Sequence, residues 1–506
     1  MFEAFLSTDS PIVFAHAALD CIMCLLKHIK KTKEVKQNKE EVEEVVDISQ
    51  IIVQDAPELS EAALGYIVRC HSVLAKMYLM SSCPAIFRGA EKIHTGSHPI
   101  HVSSVVPGKE VISFDPTTVT LTDLQHSFDH LSISASNSAP SLLENSGLLK
   151  IWFLLIDGIV SALSSCEIQN QSATLSTFFT ILQSLMSPQF SEFGMYCVNH
   201  LLLPGIQTWL RTASTRHRGW RRAAQGIKQT VGMTTEVVMD WLLSHTTHQA
   251  RPAAELMLKQ LIIILVECCL VNSETIARLG CSCLRHVITE GSDKFSSAQW
   301  DLVLSGLVRA AEMSLYPAHQ LMASFMSGSE NFSGDIGSVR VAARRDSTVV
   351  ETNRMRQLCY QILLLDTQVE DIPRLAGNPD LEDRSYLFLL QPLDTGTKEG
   401  REDTVTVRVT LSELVTGLTA HQLLLQTVGG LLLDKTDQLS PALCPALSSL
   451  LAPSQARLHS SLSSSQVNLL LAALKQSHNT AMALDNRPGN VLMFFVAKIF
   501  VLNFSF

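Results

Sequence analysis

The chain is short of most features that mark catalytic, secreted, membrane-spanning or nucleic-acid-binding proteins. Basic residues are outnumbered, 39 Lys and Arg against 48 Asp and Glu, for a formal net charge of −9 and a pI near 6.0. That balance excludes a general nucleic-acid binder, because neutralising a phosphate backbone takes a basic surface. Twelve cysteines in 506 residues are no disulfide framework. Cys268, Cys269, Cys281 and Cys283 sit in apolar helical text, the pattern of core thiols kept in a reducing compartment. The N-terminus has no basic leader and carries Glu3 and Asp9 early, so no signal peptide is read. No internal run reaches the ~20 apolar residues that span a bilayer; Leu261 to Val266 is flanked by Lys259 and Glu267. The expectation is a cytoplasmic chain.

Catalytic signatures are also missing. There is no Gly-Lys-Ser/Thr phosphate loop, no His-Glu-x-x-His, no Gly-x-Ser-x-Gly elbow and no kinase set. What remains is weak. Cys21 and Cys24 form CIMC inside an apolar helix with no second pair, which reads as core thiols. Cys281 and Cys283 point to different helix faces. His94, His98 and His101, like His126, Asp129 and His130, lie in loop text without the cysteines or paired carboxylates that would complete a metal shell. No cofactor or metal is expected, and no enzymatic activity.

What is present is helix. Hydrophobic residues make up 46% of the chain and mean hydropathy is +0.19, which suits helices covered on two sides. The organising stretch is Ile276 to Ala311. Ile276, Gly280, Cys283 and Val287 share one helix face, and Gly280 admits a neighbouring helix closely. Gly291 ends that helix. Ser296 and Gln299 then make a capping box, flanked by a Phe295 and Trp300 staple. Trp300, Val303, Leu304, Leu307 and Ala311 form the inward face of the second helix. Two helices with a short turn make an antiparallel pair that must stack on other pairs. The predicted fold class is therefore all-α, a HEAT- or armadillo-like solenoid of stacked helix pairs with long disordered insertions.

The organisation read along the chain begins with a helical segment, 1–93, holding helices over Pro11 to Ile29 and Glu58 to Met80 with a charged run from Lys27 to Glu44 between them. A mobile Ser- and His-rich insertion, 94–145, follows. A central helical-repeat region, 146–325, includes the text Phe193 to Leu210, where Pro204 and Gly205 imply a kink or break. An irregular segment, 326–410, has one helix, Thr352 to Leu365, and short strands near Val339 to Ala342 and Val405 to Val409. Helices return over 411–489, split by Pro- and Ser-rich text from Ser440 to Ser460.

Two candidate functional features stand out. Arg211, Arg216, Arg218, Arg221, Arg222 and Lys228 crowd around His217 and Trp220. This is either a solvated inter-helix segment whose Trp220 caps the core, or a contact for an anionic membrane surface or acidic partner, worth ~1 kcal/mol per cation near anionic lipid. Arg344, Arg345 and Ser347 make a basophilic-kinase acceptor pattern, with Ser347 the phosphoacceptor.

Several blocks carry a resemblance: EFGMYCVNHLLLPGIQTWL, ARLGCSCLRHVITEGSDKFSSAQWD, SGSENFSGDIGSVRVAA, QILLLDTQ and SSSQVNLLLAALKQSHNTAMALDNRPGN. They resemble, in order, the C-terminal helical region of the brefeldin A-inhibited guanine nucleotide-exchange family, and within it a divergent member with a degenerate exchange domain. The similarity is clearest from Ser146 to Gly489. The family's exchange activity resides in a Sec-seven domain, and no counterpart of its acidic finger is found here. The resemblance implies a scaffold region in Golgi and secretory-granule traffic, peripheral to those membranes. Its implied partners are an ARF-family small GTPase and phosphatase or kinase regulatory subunits. A phosphatase-docking match falls on Arg408, Val409, Thr410 and Leu411, with Leu411 where an aromatic is usual. After Gly489 the text departs from the family: VLMFFVAKIFVLNFSF holds one charge, Lys498, in sixteen residues. It reads as a truncated or mis-spliced end, or as a membrane-associating tail.

Overall fold

The computed structural model describes residues 2–8, 10–29, 56–87, 89–93, 100–102, 146–215, 219–244, 251–292, 294–323, 337–342, 387–392, 407–432 and 462–485. The charged run beyond Ile29, most of the Ser- and His-rich insertion, the helix expected over Thr352 to Leu365 and the tail after Gly489 lie outside them. The chain divides into two units of stacked helices, the α-solenoid class that the apolar stripes predict. One comprises Met1–Arg211 with Arg222–Ile264, the other Thr212–Arg221 with Leu265–Phe506.

The first unit opens with α1 (Phe2–Ser7), α2 (Pro11–Ile29) and α3 (Ala56–Tyr78), the last two packed face to face. Next come α4 (Leu148–Ser165) and α5 (Ile168–Leu185). By length and composition α2 and α4 are apolar enough to cross a membrane. In the fold, α4 spends that apolarity on protein: twelve of its 18 residues are buried, against α2, α3, α5 and the segment after residue 197. Its Trp152 is fully buried. Ring centroids of His71, Tyr78, Phe190 and Phe193 surround it at 5.5, 6.0, 5.5 and 5.0 Å. This aromatic cluster is the centre of the unit, and its edge-on and tilted pairings add to the area burial.

The kink expected at Pro204 takes a specific form. Helix α6 (Ser191–Cys197) runs through one π-turn, Val198–Leu202, into α7 (Leu203–Thr215). Proline has no N–H and its ring crowds the carbonyl a turn earlier, so the ladder shifts to a wider bond, with the Leu203 N–H on Val198 O. The helix continues instead of breaking. Helix α8 (Gly219–Ser244) and α9 (Arg251–Leu270) follow. The text from Gly219 to Lys228, read from sequence as an inter-helix segment, is the first part of α8.

The second unit holds α10 (Glu274–Gly291), α11 (Ser297–Ser314) and α12 (Tyr316–Ala323). It continues with strands β1 (Gly337–Ala342), β2 (Leu387–Pro392) and β3 (Val407–Thr410), then α13 (Leu411–Leu432) and α14 (Ser464–Asp485). The strands form an antiparallel sheet in the order β1-β2-β3, with Val339 opposite Leu390 and Phe388 opposite Val409. Both edge strands have the alternating text that suggested them. The central one, LFLLQP, is apolar without alternation and gave no such signal.

The central pair keeps its local chemistry. The Gln299 N–H donates to Ser296 Oγ (3.4 Å) and the Ser296 N–H to Gln299 Oε1 (2.9 Å), completing the capping box. Phe295 and Trp300 meet edge to face at 5.8 Å. A Cβ at Gly280 would lie 2.8 Å from Cys269 N and 2.9 Å from its Sγ, so α9 does approach closely there. Gly291 ends α10 for another reason than the left-handed cap expected: its backbone is not at positive φ, and the Phe295 ring occupies the space a side chain would need. Both α10 and α11 pack chiefly on α13, from far along the chain. Helix α11 therefore buries more than one stripe: Leu302, Val308 and Ala310 are covered together with the five predicted residues, because α14 lies on it as well.

Candidate functional site

The basic cluster is only partly within the described residues. Arg211 is half-buried on α7 and Lys228 is exposed on α8. Arg221 and Arg222 lie in the first turn of α8, their side chains outside the description, as are Arg216 and Arg218 altogether. Ser347 and the histidines at 94, 98, 126 and 130 lie outside the described residues. His101 is described: its N–H donates to Gln207 Oε1 (2.8 Å) and its carbonyl accepts from Gln207 Nε2 (2.6 Å), which ties residues 100–102 to α7. Arg408, Val409 and Thr410 form β3, where Leu389, Phe388 and Leu387 oppose them on β2, and Leu411 starts α13.

The cysteines behave as packing residues. Cys21 Sγ lies 4.0 Å from Cys70 Sγ between α2 and α3, and Cys281 Sγ lies 3.8 Å from Cys269 Sγ and 3.7 Å from Ala420 O. Burial pushes the Cys197, Cys268 and Cys269 thiols well above their ordinary range, so they stay protonated and unreactive. Cys283 and Trp300 are buried and His286 half-buried, in keeping with the packing role read for them. Lys259, in the middle of α9, is 1% exposed, and loss of water pulls its ammonium down to about 7.

Two buried histidine networks, one per unit, carry the most organised polar geometry among the described residues. In the first unit Trp152 Nε1–H donates to His71 Nδ1 (3.0 Å). Nδ1 must therefore be bare, so Nε2–H donates to Ser184 Oγ (2.6 Å). In the second, Ser314 Oγ–H and His421 Nδ1–H both point at Ala311 O, at 2.8 and 2.9 Å. His421 Nε2 then accepts from Ser477 Oγ at 2.8 Å. Burial pulls both imidazoles down from 6.5 to about 4. Each network ties three helices together: α3, α4 and α5 in one, α11, α13 and α14 in the other. A signal was legible in the text. His71 stands in the stripe Ile67, Cys70, Leu74 and His421 in the stripe Leu414, Leu418, Leu424, Val428, so each occupies a core position.

These arrangements use their polar atoms to hold helices together. The chain is 30% identical over 500 residues to Brefeldin A-inhibited guanine nucleotide-exchange protein 3 of Homo sapiens, covering 97% of this chain and 21% of that protein. The chain belongs to the brefeldin A-inhibited guanine nucleotide-exchange protein family. The protein of the same name from Mus musculus is 30% identical over 443 residues, 86% of this chain and 18% of the relative. This exchange-protein family member thus spans about a fifth of the length of the relatives it matches. The similarity is not confined to the blocks after Ser146, since it extends over 97% of the chain. No family model matches the chain, and no solved structure does.

Proposed function

We propose that this chain is a non-catalytic helical scaffold of an ARF-exchange-factor-like protein, presenting stacked helix surfaces to protein partners in vesicle traffic. The partners proposed are an ARF-family small GTPase and phosphatase or kinase regulatory subunits. The place proposed is the cytoplasm, peripheral to Golgi or secretory-granule membranes. The observation that carries the reading is how the chemistry-bearing side chains are used: His71 and His421 bridge helices, and the Cys21 and Cys70 thiols, like those of Cys269 and Cys281, pack against one another. Membership of the exchange-protein family supports the ARF-exchange-factor-like part of the reading.

Two measurements on the full chain test the reading. Loading of fluorescent nucleotide onto a purified ARF protein should proceed at the same rate with and without the chain. Acceleration would overturn the scaffold reading and favour an active exchanger. Retention of the ARF protein on the immobilised chain is expected, and its absence would remove the GTPase from the partner set.

A second reading, a peripheral contact with anionic membrane, is favoured by the exposure of Lys228 on α8. Reversing the charges at Arg218, Arg221 and Arg222 should then abolish binding to anionic liposomes. Unchanged binding would eliminate this surface.

A further inference from the structure

Helix α14 is held in two unlike ways along its length. Its first half is fixed by burial: Gln466, Leu470 and Ala473 are covered, and Gln466 Nε2 donates to Asp301 Oδ1 (2.7 Å) and to Ser297 O (3.3 Å). From Lys475 to Met482 no side chain is buried, and Ser477 and Thr480 are half-buried. These two residues, three apart on one face, meet two imidazoles. Ser477 Oγ–H donates to His421 Nε2 at 2.8 Å. Thr480 spends its own proton on Gln476 O (3.0 Å), so His319 Nε2–H donates to Thr480 Oγ1 at 3.2 Å. We propose that His421 and His319 form a proton-operated latch, which holds the second half of α14 against α11, α12 and α13 at neutral pH and releases it in acid.

A second proton on either ring has no ready acceptor in the closed form. His421 already commits its Nδ1–H to Ala311 O and is 6% exposed. A protonated ring at that position is a cation stripped of water, and the Ser477 hydroxyl must turn round to accept from it. Burial holds the His421 imidazole down at about 4, against its hydrogen bond to Ala311, with the His319 charge adding to the depression. Burial lowers His319 as well. Charging the closed form therefore sets a cation at buried His421 against a second one at half-buried His319, which disfavours it. In the released form both rings face water.

Other charged groups on the surrounding helices do not relieve this. On α11, Asp301 is engaged by Gln466 and Arg309 pairs with Glu312. On α13, Glu413 is exposed, and so are Lys475 and His478 on α14. Helix α10, behind α13, brings the exposed Arg278 and Glu274 pair together with Arg285, His286 and Glu290. Strand β3 brings Arg408. None of these acts on His421 as His319 does.

The sign follows from the depressed value. The released state takes up a proton below about 6.5 and the closed state only below about 4, so release is favoured progressively as pH falls between the two. Near pH 5, His421 alone shifts the equilibrium about 30-fold toward release.

Hydrogen exchange on the full chain, read by mass spectrometry near pH 7.5 and near pH 5 and corrected for the intrinsic pH dependence of exchange, tests the latch. Protection of the amides from 475 to 482 should fall about 30-fold in acid while α11 and α13 keep theirs. His421→Gln retains a donor and an acceptor but does not titrate, and should remove most of this dependence. His319→Gln, at a half-buried site, keeps the donor to Thr480 and should reduce it, which serves as the readout if the first variant does not fold. Protection of α14 that does not change with pH, an equal fall in both variants and the wild type, or a uniform loss across α11, α13 and α14 would each overturn the proposal.

Discussion

Acid should loosen the first unit through a single imidazole. His71 sits between Trp152 and Ser184, 5% exposed, and its pKa falls from 6.5 to about 4 because burial penalises the charged ring. For a base whose folded value is depressed, stability is complete above the unfolded pKa and drains away as pH drops below it, here through the window from about 6.5 to about 4. At pH 5 the unfolded ring is almost fully protonated and the folded one almost fully neutral, which costs about 2 kcal/mol relative to neutral pH. The comparison that isolates this cost is His71→Gln. Glutamine offers an N–H for Ser184 and an oxygen for the Trp152 indole N–H, yet carries no proton equilibrium in this range. Urea titrations followed by tryptophan fluorescence at pH 7.5 and 5 should show the wild type losing about 2 kcal/mol more than the variant. All other titrating groups, His421 among them, contribute equally to both proteins and cancel in the difference. Equal losses in the two proteins would refute the reasoning, because the imidazole would then already be charged or solvated in the fold.

Other outcomes follow from single contacts. Gly280→Ala forces a methyl against the backbone of Cys269 and should cost about 1–3 kcal/mol in a urea titration. Ser296→Ala removes the capping box of α11 and should cost roughly 1 kcal/mol, measurable as a fall in thermal midpoint. Trp152→Ala empties the centre of the first aromatic cluster and should cost about 3–5 kcal/mol, read as a lowered urea midpoint.

Periodicity made the helices legible. The bounds read for the helix Pro11–Ile29 are those observed, because an apolar stripe is a local property of the text. Legibility failed where the deciding interaction was remote. LFLLQP reads as irregular apolar text until strands on both sides supply its ladder. Gly219 to Lys228 reads as a charged connection, yet α8 takes it in whole. The histidines were visible as letters but not as sites: what gives His71 and His421 their character is an indole, two hydroxyls and a carbonyl from other helices.

The division is clearest in the stretch from Ile276 to Ala311. Its helices, its capping box, its Phe295 and Trp300 contact and its need for a close neighbour at Gly280 were determined by the sequence alone, since each depends on residues within a few turns. Which helix would cover it was a tertiary decision. Helix α13, from far along the chain, packs on both of its helices, while Cys269 of the neighbouring α9 closes on Gly280. An apolar stripe states only how much surface must leave water. It does not say which other stripe will meet it.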